Sequence, residues 1–330
     1  MLLAADIGGT KAYLGLFRRA SERPVPVVVE SFSTQQYRTL VAVVDAFLRR
    51  RRPAPRIEAA CIGVAGPVID DRAELTNVGW TVDGREVAER FGLERCRLLN
   101  DLVAVAHAVA VLEPAELHTL QEGEPNASGN AGLIAAGTGL GQAFLFNDGR
   151  RLVPAPSEGG HADFAPRTAR EWELASWLIE RHGRADVEQV VSGIGLVNLY
   201  HFMHPTPCTD APEADLPALL SQNAMQGACR RCREALDRFI ESYGAEAGNL
   251  ALRCVATRGL FIGGGIAPKI LPALEAGAFR RAFVDKPPMR EFLESVPVRV
   301  ILNPEAGLLG AAAVANRDAS DGCDGPQARR

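Results

Sequence analysis

The sequence has no hydrophobic run long enough to cross a membrane, because its apolar stretches are short and interrupted by glycine and charge. Its first residues enter a strand pattern directly, without the basic segment and cleavage site of a secretory leader. Neither sign of charge is in large excess, since the formal net charge is −4 and acidic and basic residues are interspersed. We therefore expect a cytoplasmic protein with neither membrane nor nucleic acid as a partner.

Cysteine is sparse and odd in number, with seven residues scattered over 330. This usage is typical of reduced thiols in a cytosolic protein rather than of a disulfide framework. Cys229 and Cys232 have the spacing of half a zinc or redox site, but no second pair of cysteines or histidines follows at a suitable distance. The pattern favours two ordinary helical thiols, with metal or redox chemistry as the minor alternative.

The two common phosphate-binding fingerprints, GxxxxGK[ST] and GxGxxG, are both absent. Three other glycine-rich turns follow strand patterns: Gly8-Gly9-Thr10, Gly137-Thr138-Gly139 and Gly263-Gly264-Gly265. Such turns expose backbone N–H groups that can bind phosphate oxygens. Each turn alone is as easily structural, but together the three predict nucleotide binding.

Strand and helix patterns are mixed along the whole chain, which predicts an α/β architecture with ligands at the loops that leave the strand ends. The strand, small-residue turn and strand at the start of the chain recur at 131–146, which indicates an internal duplication. The composition becomes polar around 113–129, so a domain boundary is expected near residue 111. The last residues, from Asn316 onward, are polar and are expected to form a disordered tail.

Two sites in the first third of the chain suggest phosphoryl chemistry. Asp6 ends a strand before the first glycine turn, where a carboxylate can hold Mg²⁺ directly or through water, and Lys11 can reach a phosphate or simply face solvent. Asn100 and Asp101 stand where a strand gives way to a helix. Either residue can cap that helix, and a carboxylate there can also accept a proton from a substrate hydroxyl.

A second polar group follows the second glycine turn. The run Glu158-Gly-Gly-His161 carries an acceptor and a donor on a loop expected to be flexible, which suits neighbouring hydroxyls of a sugar. Glu188 precedes another small-residue turn, and its position alone indicates a surface residue.

Taken together, these motifs resemble the bacterial glucokinase family of the actin-like ATPase and hexokinase superfamily. The resemblance covers roughly residues 3–315 in order. It rests on the motifs AADIGGTKAYLGLF, LLNDLVAVAHA, GTGLGQAFL, EGGHADFAP, VEQVVSGIGLVNLY, GLFIGGGIAPKIL and NPEAGLLGAAA.

The resemblance implies a two-lobed, ribonuclease H-like fold with duplicated mixed-sheet cores and a cleft between the lobes. The expected domains are a small α/β domain of 1–110 plus 303–316, a large α/β domain of 111–302, and the tail 317–330. It also implies a homodimer that phosphorylates the 6-hydroxyl of glucose with ATP and Mg²⁺ at the entry to glycolysis.

The resemblance further implies a role for each site residue, with Asp101 as the base that deprotonates the 6-hydroxyl. The glucose site is expected to consist of Asn100, Asp101, Glu158, His161 and Glu188. The phosphates are expected at Gly8, Gly9, Thr10, Gly137 and Thr138, and the adenosine at Gly264 and Gly265.

The sequence departs from related kinases in two places. Related repressor and open-reading-frame kinases carry a cysteine-rich zinc motif soon after the EGGH loop, whereas this chain has no cysteine from Glu158 to Pro207, so no structural zinc is expected. Lys11 stands where many glucokinases have Asn, which leaves its role open.

Three alternatives differ in substrate or class. The hydroxyl-binding set also suits mannose, fructose or an N-acetylated sugar. A non-catalytic sugar-sensing regulator would require an N-terminal helix-turn-helix, whereas the chain starts on the strand of the first glycine turn. An actin-like ATPase without sugar chemistry would leave the EGGH loop unexplained.

Overall fold

A computed structural model describes residues 1–51, 53, 55–204, 206 and 211–321. It divides the chain into two units: the first is Met1–Glu113 with the C-terminal segment from Asn303 onward, and the second is Pro114–Leu302. In the described part of the chain, no helix is long and apolar enough to cross a membrane.

The first unit contains more strands than helices. In chain order its elements are β1 (Leu2–Ile7), β2 (Lys11–Arg18), β3 (Val25–Ser33), α1 (Leu40–Arg49), β4 (Ala59–Val64), β5 (Arg72–Leu75), β6 (Trp80–Asp83), α2 (Gly84–Phe91), β7 (Cys96–Asn100) and α3 (Asp101–Ala108).

The second unit has a larger share of helix. Its elements are β8 (Leu117–Gln121), β9 (Ala131–Ala136), β10 (Leu140–Asn147), β11 (Leu152–Ser157), α4 (Ala169–His182), α5 (Gly193–Met203), α6 (Leu216–Met225), α7 (Arg230–Cys254), β12 (Gly259–Gly263), α8 (Leu271–Glu275), α9 (Ala278–Val284), α10 (Arg290–Ser295) and β13 (Val298–Ile301). The chain then returns to the first unit as α11 (Ala306–Asp321).

The two main sheets share one topology. The first has the strand order β3-β2-β1-β4-β7, and the second has β11-β10-β9-β12-β13 with β8 added at one edge. In each, the central strand pairs antiparallel with the strand that follows it and parallel with the next strand on its other side. The predicted α/β class and the duplicated mixed-sheet cores are confirmed.

The central strand β1 is apolar except for Asp6, because both faces of its sheet are covered. Leu3 and Ala5 on one face belong to the cluster that contains Val43 and Phe47 of α1. On the other face, Leu2 and Ala4 cluster with apolar residues of α11. The returning helix α11 therefore completes the core of the first unit.

The C-terminal helix is longer than its sequence pattern indicates. We expected a disordered tail from residue 317, but α11 continues to Asp321. Asn316 exchanges two hydrogen bonds with the backbone of Ala20, and Asp318 pairs with Arg97 at 2.9 Å. These polar contacts extend the helix beyond its apolar stripe. The rest of the predicted tail, 322–330, lies outside the described residues.

The sequence pattern also missed edge strands. β11 contains Pro154 and Pro156, which argue against a strand because proline cannot donate a ladder hydrogen bond. β11 lies at the end of its sheet, where one side of the strand needs no partner, and so tolerates both prolines. β8 occupies the opposite edge of the same sheet, inside the region predicted from its polar composition to be a boundary.

We expect Gly310→Ala to destabilise the first unit strongly. A methyl group at Gly310 would overlap the carbonyl oxygen of Ala104 in α3, which is backbone and cannot rotate away. The expected loss is about 3 kcal/mol, the upper part of the range for overpacked positions. Urea unfolding measures it, with Ala313→Ser on the half-buried side of the same helix as the control. Equal stability of the two variants would contradict the close packing of α11 on α3.

Candidate active site

The first glycine turn joins β1 to β2, and a buried threonine donates hydrogen bonds to its carbonyl groups. Gly8 donates its N–H to the carbonyl of Lys11 at 2.9 Å. Thr34, which is 1% exposed, donates its hydroxyl to the carbonyl of Gly9 at 2.9 Å and its N–H to that of Thr10. These contacts fix the carbonyl groups of the turn, while the side chains of Thr10 and Lys11 are exposed. Such a turn can present its N–H groups to a phosphate.

Asp6 is a largely buried carboxylate beside this turn. Burial, and then the negative charge of Asp101, raise the pKa of Asp6 to about 6. The first turn of α11 leaves room for this side chain, because a Cβ atom at Gly307 would lie 2.6 Å from its Oδ2 atom. A helix N-terminus favours a carboxylate charge, so burial outweighs that contribution here.

Asn100, rather than Asp101, caps α3. The Asn100 Oδ1 atom accepts hydrogen bonds from the N–H groups of Leu102 and Val103 at 3.0 and 3.3 Å, and its Nδ2 atom donates to the carbonyl of Gly66 at 3.1 Å. One amide hydrogen of Asn100 then remains for a ligand. Asp101 is the first helical residue, and its Oδ1 atom also accepts from Leu102 N–H at 2.8 Å.

These residues meet because three parallel strands end together. In the sheet of the first unit, Ile7 pairs with Val64, and Val64 pairs with Asn100. The carboxyl ends of β1, β4 and β7 therefore form one edge, where ligands of α/β sheets bind. Asp6, the first glycine turn and Asp101 all lie at this edge.

The second and third glycine turns are adjacent in the second unit, because β9 and β12 are parallel neighbours that pair Ala135 with Gly263. Gly264, with a φ of 83°, packs directly on the carbonyl of Ala136, and Ile266 donates its N–H to the same oxygen at 3.3 Å. Thr138 and Gly265 are exposed beside this contact. The two turns thus form one continuous backbone surface.

The Glu158–His161 segment, which we call the histidine loop, packs closely against β10. Gly159–His161 form one turn of 3₁₀ helix. Gly160 packs on the carbonyl of Leu140, and a Cβ atom at Gly159 would lie 2.6 Å from Oε1 of Gln142. The expectation of a flexible loop is wrong, because its glycines serve close backbone packing.

Gln142 is a fully buried side chain that supports the histidine loop. It donates from Nε2 to Oε1 of Glu246 at 2.9 Å, and Glu246 is further held by Asn249 and Arg253. The Oε1 atom of Gln142, which faces Gly159, has no hydrogen-bond partner among the described residues.

Glu188 lies between the histidine loop and the second glycine turn. Its Oε2 atom accepts a hydrogen bond from Leu140 N–H at 2.7 Å, and its Oε1 atom lies 4.0 Å from Nδ1 of His161. The same His161 nitrogen is 3.7 Å from Oδ2 of Asp186. Position in the sequence indicated a surface residue, but the fold makes Glu188 a central contact of this site.

The structure therefore assembles two groups of predicted residues, one in each unit. The first contains Asp6, Gly8, Gly9, Thr10, Lys11, Asn100 and Asp101, and the second contains Gly137, Thr138, Glu158, His161, Glu188, Gly264 and Gly265. Sequence reasoning missed Thr34 and Gln142, and also Asn77, whose Cβ atom would lie 3.3 Å from a Cβ atom at Gly9. No motif contains Thr34 or Asn77, and Gln142 lies in the motif GTGLGQAFL without any sign of its contact, since only the fold brings these residues to the glycine turns and the loop.

The remaining candidates for a functional site are metal-ligand clusters and reactive thiols. In the described ranges, no group of three or more His, Cys, Asp or Glu side chains is placed to hold a metal ion. Cys229 and Cys232 lie at the start of α7, where Cys232 is buried. Burial raises the pKa of two other thiols, Cys96 to about 12 and Cys254 to about 11, so both are protonated at neutral pH.

Comparison by sequence and comparison by structure both match this chain to proteins described as glucokinases. The sequence model of the family described as "Glucokinase" matches residues 3–318. A curated glucokinase of Nostoc punctiforme is 40% identical over 340 aligned residues, which cover 96% of this chain and 99% of that protein.

Two solved structures share the fold. The crystal structure of a glucokinase from an Antarctic psychrotroph has a TM-score of 0.86 and 30% identity, and the match covers 96% of this chain and 98% of that one. A ROK-family glucokinase of Streptomyces griseus, in complex with glucose and AMPPNP, has a TM-score of 0.63 at 23% identity, with coverage of 96% and 99%. The fold is that of the actin-like ATPases.

We expect Asp6→Asn to stabilise the protein at neutral and alkaline pH. Because the folded-state pKa of Asp6 is raised to about 6, wild-type stability falls as pH rises from the unfolded pKa near 4 through 6, as the buried carboxyl loses its proton. Asparagine carries no charge to bury. The gain should be near zero at pH 4 and on the order of 1–3 kcal/mol at pH 8.

Unfolding free energies between pH 4 and 8, measured without nucleotide or metal, test this expectation. Asp45→Asn is the control, since Asp45 is a partly exposed carboxylate paired with Arg49 and its loss cannot raise stability with pH. A gain for Asp6→Asn that does not depend on pH would contradict the raised pKa.

Proposed function

The chain belongs to the glucokinase family, and on that premise we propose that it transfers the γ-phosphoryl group of ATP to the 6-hydroxyl of glucose. The products are glucose 6-phosphate and ADP. The observation that carries this proposal is the shared sheet edge of the first unit, where the first glycine turn, Asp6 and Asp101 lie together. A phosphate-binding turn beside a carboxylate is what in-line phosphoryl transfer requires.

Asp101 is the proposed general base. As the 6-hydroxyl oxygen bonds to the γ-phosphorus, its proton passes to the Asp101 carboxylate and the bond from the γ-phosphorus to the bridging oxygen of ADP breaks. Asn100 accepts from the N–H groups of Leu102 and Val103, and Asp101 accepts from that of Leu102 as well, so both side chains are fixed at the start of α3. The carboxylate is thereby held in place at the start of a helix.

Five residues are proposed to contact the sugar. Carboxylates accept hydrogen bonds from hydroxyls, while an amide or imidazole can donate to them. The proposed set is Asn100 and Asp101 from the first unit, with Glu158, His161 and Glu188 from the second.

The glycine turns are proposed to bind ATP. Backbone N–H groups of Gly8, Gly9, Thr10, Gly137 and Thr138 would contact the phosphates, with Lys11 as an additional positive charge. Gly264 and Gly265 would lie against the adenosine. The complex of the Streptomyces griseus glucokinase with glucose and AMPPNP, in the same fold, supports this pair of ligands.

Magnesium is proposed to accompany ATP. The donor set fits this ion, because Mg²⁺ in phosphate sites takes one or two carboxylates together with water and phosphate oxygens. Asp6 would hold it directly or through water, and the charge of Asp101 adds to the negative potential at Asp6. When bound, the ion supplies charge neutralisation at the β- and γ-phosphates. A catalytic site of this kind needs no three-residue metal cluster.

Three further properties are proposed from the family alone: a homodimer, a cytoplasmic location, and a role at the entry to glycolysis. Light scattering coupled to size exclusion measures the first directly.

We expect Asp101→Asn to lower kcat by about 10³-fold, because a positioned general base contributes about 10²–10⁴-fold. The neutral amide keeps the shape of the side chain and an oxygen for Leu102 N–H, so folding and glucose binding should persist. A coupled ADP assay measures kcat, and calorimetry measures glucose binding.

Glu89→Gln, an exposed substitution on α2, is the control and should turn over at the wild-type rate. Unchanged turnover in Asp101→Asn would remove Asp101 as the base. Loss of glucose binding together with turnover would instead limit Asp101 to substrate binding.

A panel of sugars and phosphoryl donors tests the substrates. We expect the largest kcat/KM for glucose with ATP, ahead of mannose, fructose and N-acetylglucosamine, and ahead of ADP or polyphosphate as donor. A higher value for another hexose would keep the kinase and change its substrate. ATP hydrolysis that no hexose alters would favour an ATPase without sugar chemistry.

A further inference from the structure

A short segment of the second unit connects its two candidate substrate sites. This bridging segment, Val187–Gly193, contacts the histidine loop at one end, where Glu188 N–H bonds to the carbonyl of Gly160 at 2.8 Å. Beside it, Val187 N–H bonds to the carbonyl of Ala162, the residue after the loop, at 3.0 Å. At its other end, Gly193 N–H bonds to the carbonyl of Gly137 at 2.8 Å. One segment therefore holds the backbone of both sites.

The side chain of Glu188 repeats this connection through its two oxygens. Oε2 accepts from Leu140 N–H at 2.7 Å, at the point where the second glycine turn enters β10. Oε1 lies toward His161, 4.0 Å from its Nδ1 atom. Because both oxygens belong to one rigid carboxylate, a group that fixes one of them also fixes the other.

Gly139 shows how closely the carboxylate and the turn are fitted. A Cβ atom at Gly139 would lie 2.5 Å from Oε2 of Glu188, so any side chain there would displace the carboxylate. At Gly137, by contrast, an added Cβ atom would meet nothing within 4 Å. The same glycine turn thus has one position that reaches Glu188 and one that does not.

Leu140 receives both contacts on its own backbone. Its N–H donates to Glu188, and its carbonyl packs against Gly160 of the histidine loop. Movement of the loop or of the carboxylate therefore acts on the residue that follows the turn.

We propose that Glu188 couples the sugar and nucleotide sites energetically, with Gly139 as a positioning residue. A sugar hydroxyl on Oε1 would restrain the carboxylate, and Oε2 would in turn restrain Leu140 and the second glycine turn for phosphate binding. Linkage requires the reverse effect to be equal, so nucleotide improves glucose affinity by the same factor. This inference rests on the proposed function and extends it from two binding sites to their coupling.

The first test is a substitution in the nucleotide turn that is measured by glucose alone. Gly139→Ala displaces the Glu188 carboxylate, so calorimetry without nucleotide should show glucose binding weakened about tenfold, within the usual 5- to 150-fold range of couplings. Gly137→Ala alters the same turn without reaching Glu188 and should keep the wild-type glucose Kd. Equal glucose Kd values for Gly139→Ala and wild type would overturn the proposal.

The reciprocal test removes the carboxylate and measures AMPPNP alone, with magnesium in the buffer. Glu188→Ala should weaken AMPPNP about tenfold, a loss typical of coupled sites. Glu158→Ala, a sugar-side variant whose side chain makes no hydrogen bond or ion pair with the second glycine turn among the described residues, should leave the AMPPNP Kd unchanged. Glu188→Gln keeps an oxygen for Leu140 N–H and should restore AMPPNP affinity toward wild type.

These measurements separate failure of the coupling from failure of the proposed function. If wild type binds no glucose, the proposed function is wrong. If wild type binds glucose with the same Kd in the presence and absence of AMPPNP, or if Glu188→Ala changes only the glucose Kd, then Glu188 is a sugar ligand and the coupling is wrong. Thermal unfolding of each variant identifies any loss of folding. If Gly139→Ala does not fold, the comparison of Glu188→Ala with Glu188→Gln decides between the outcomes.

Discussion

The hydrogen bond from Leu140 N–H to the carboxylate of Glu188 is the contact around which the second unit's site is arranged. It fixes the start of β10 just after the second glycine turn, and the histidine loop packs on that strand through Gly159 and Gly160. The loop and the turn are thus held by one strand and one acidic side chain. This arrangement is the physical basis of the coupling that we propose between the two substrates.

The first unit meets a different constraint, the burial of a carboxylate. Asp6 sits at the end of the central strand, and its raised pKa reflects a free-energy cost that a structural protein would avoid. The glycine at 307 in α11 provides the space for it, and α11 itself arrives from the far end of the sequence. A carboxylate at such a position is a good candidate for function, because stability alone would favour a neutral side chain there.

A residue's role can be predicted from the sequence when the groups that it contacts lie close to it in the chain. The glycine turns and the Asn100–Asp101 junction were found because strand, turn and cap signals lie within a few residues of each other. The role of Thr34 is not visible in the sequence, because the turn that it supports lies more than twenty residues earlier. The role of Gln142 is not visible either, because its partner Glu246 lies on a helix about a hundred residues later. The Glu158–His161 loop was found but misjudged, since its glycines pack rather than flex.

The sequence by itself determined the α/β class, the duplicated strand–turn–strand cores, the glucokinase family and the identity of the candidate site residues. The class and the duplicated cores follow from short-range patterns of apolar residues and glycine, which a chain carries before it folds, whereas the family and the site residues follow from motifs that resemble known glucokinases. Only the tertiary structure decided that Asn100 rather than Asp101 caps α3, that Glu188 joins the loop to the turn, and that α11 extends to Asp321. Each of these depends on atoms that are distant in the chain or compete for one position, and packing chooses between them.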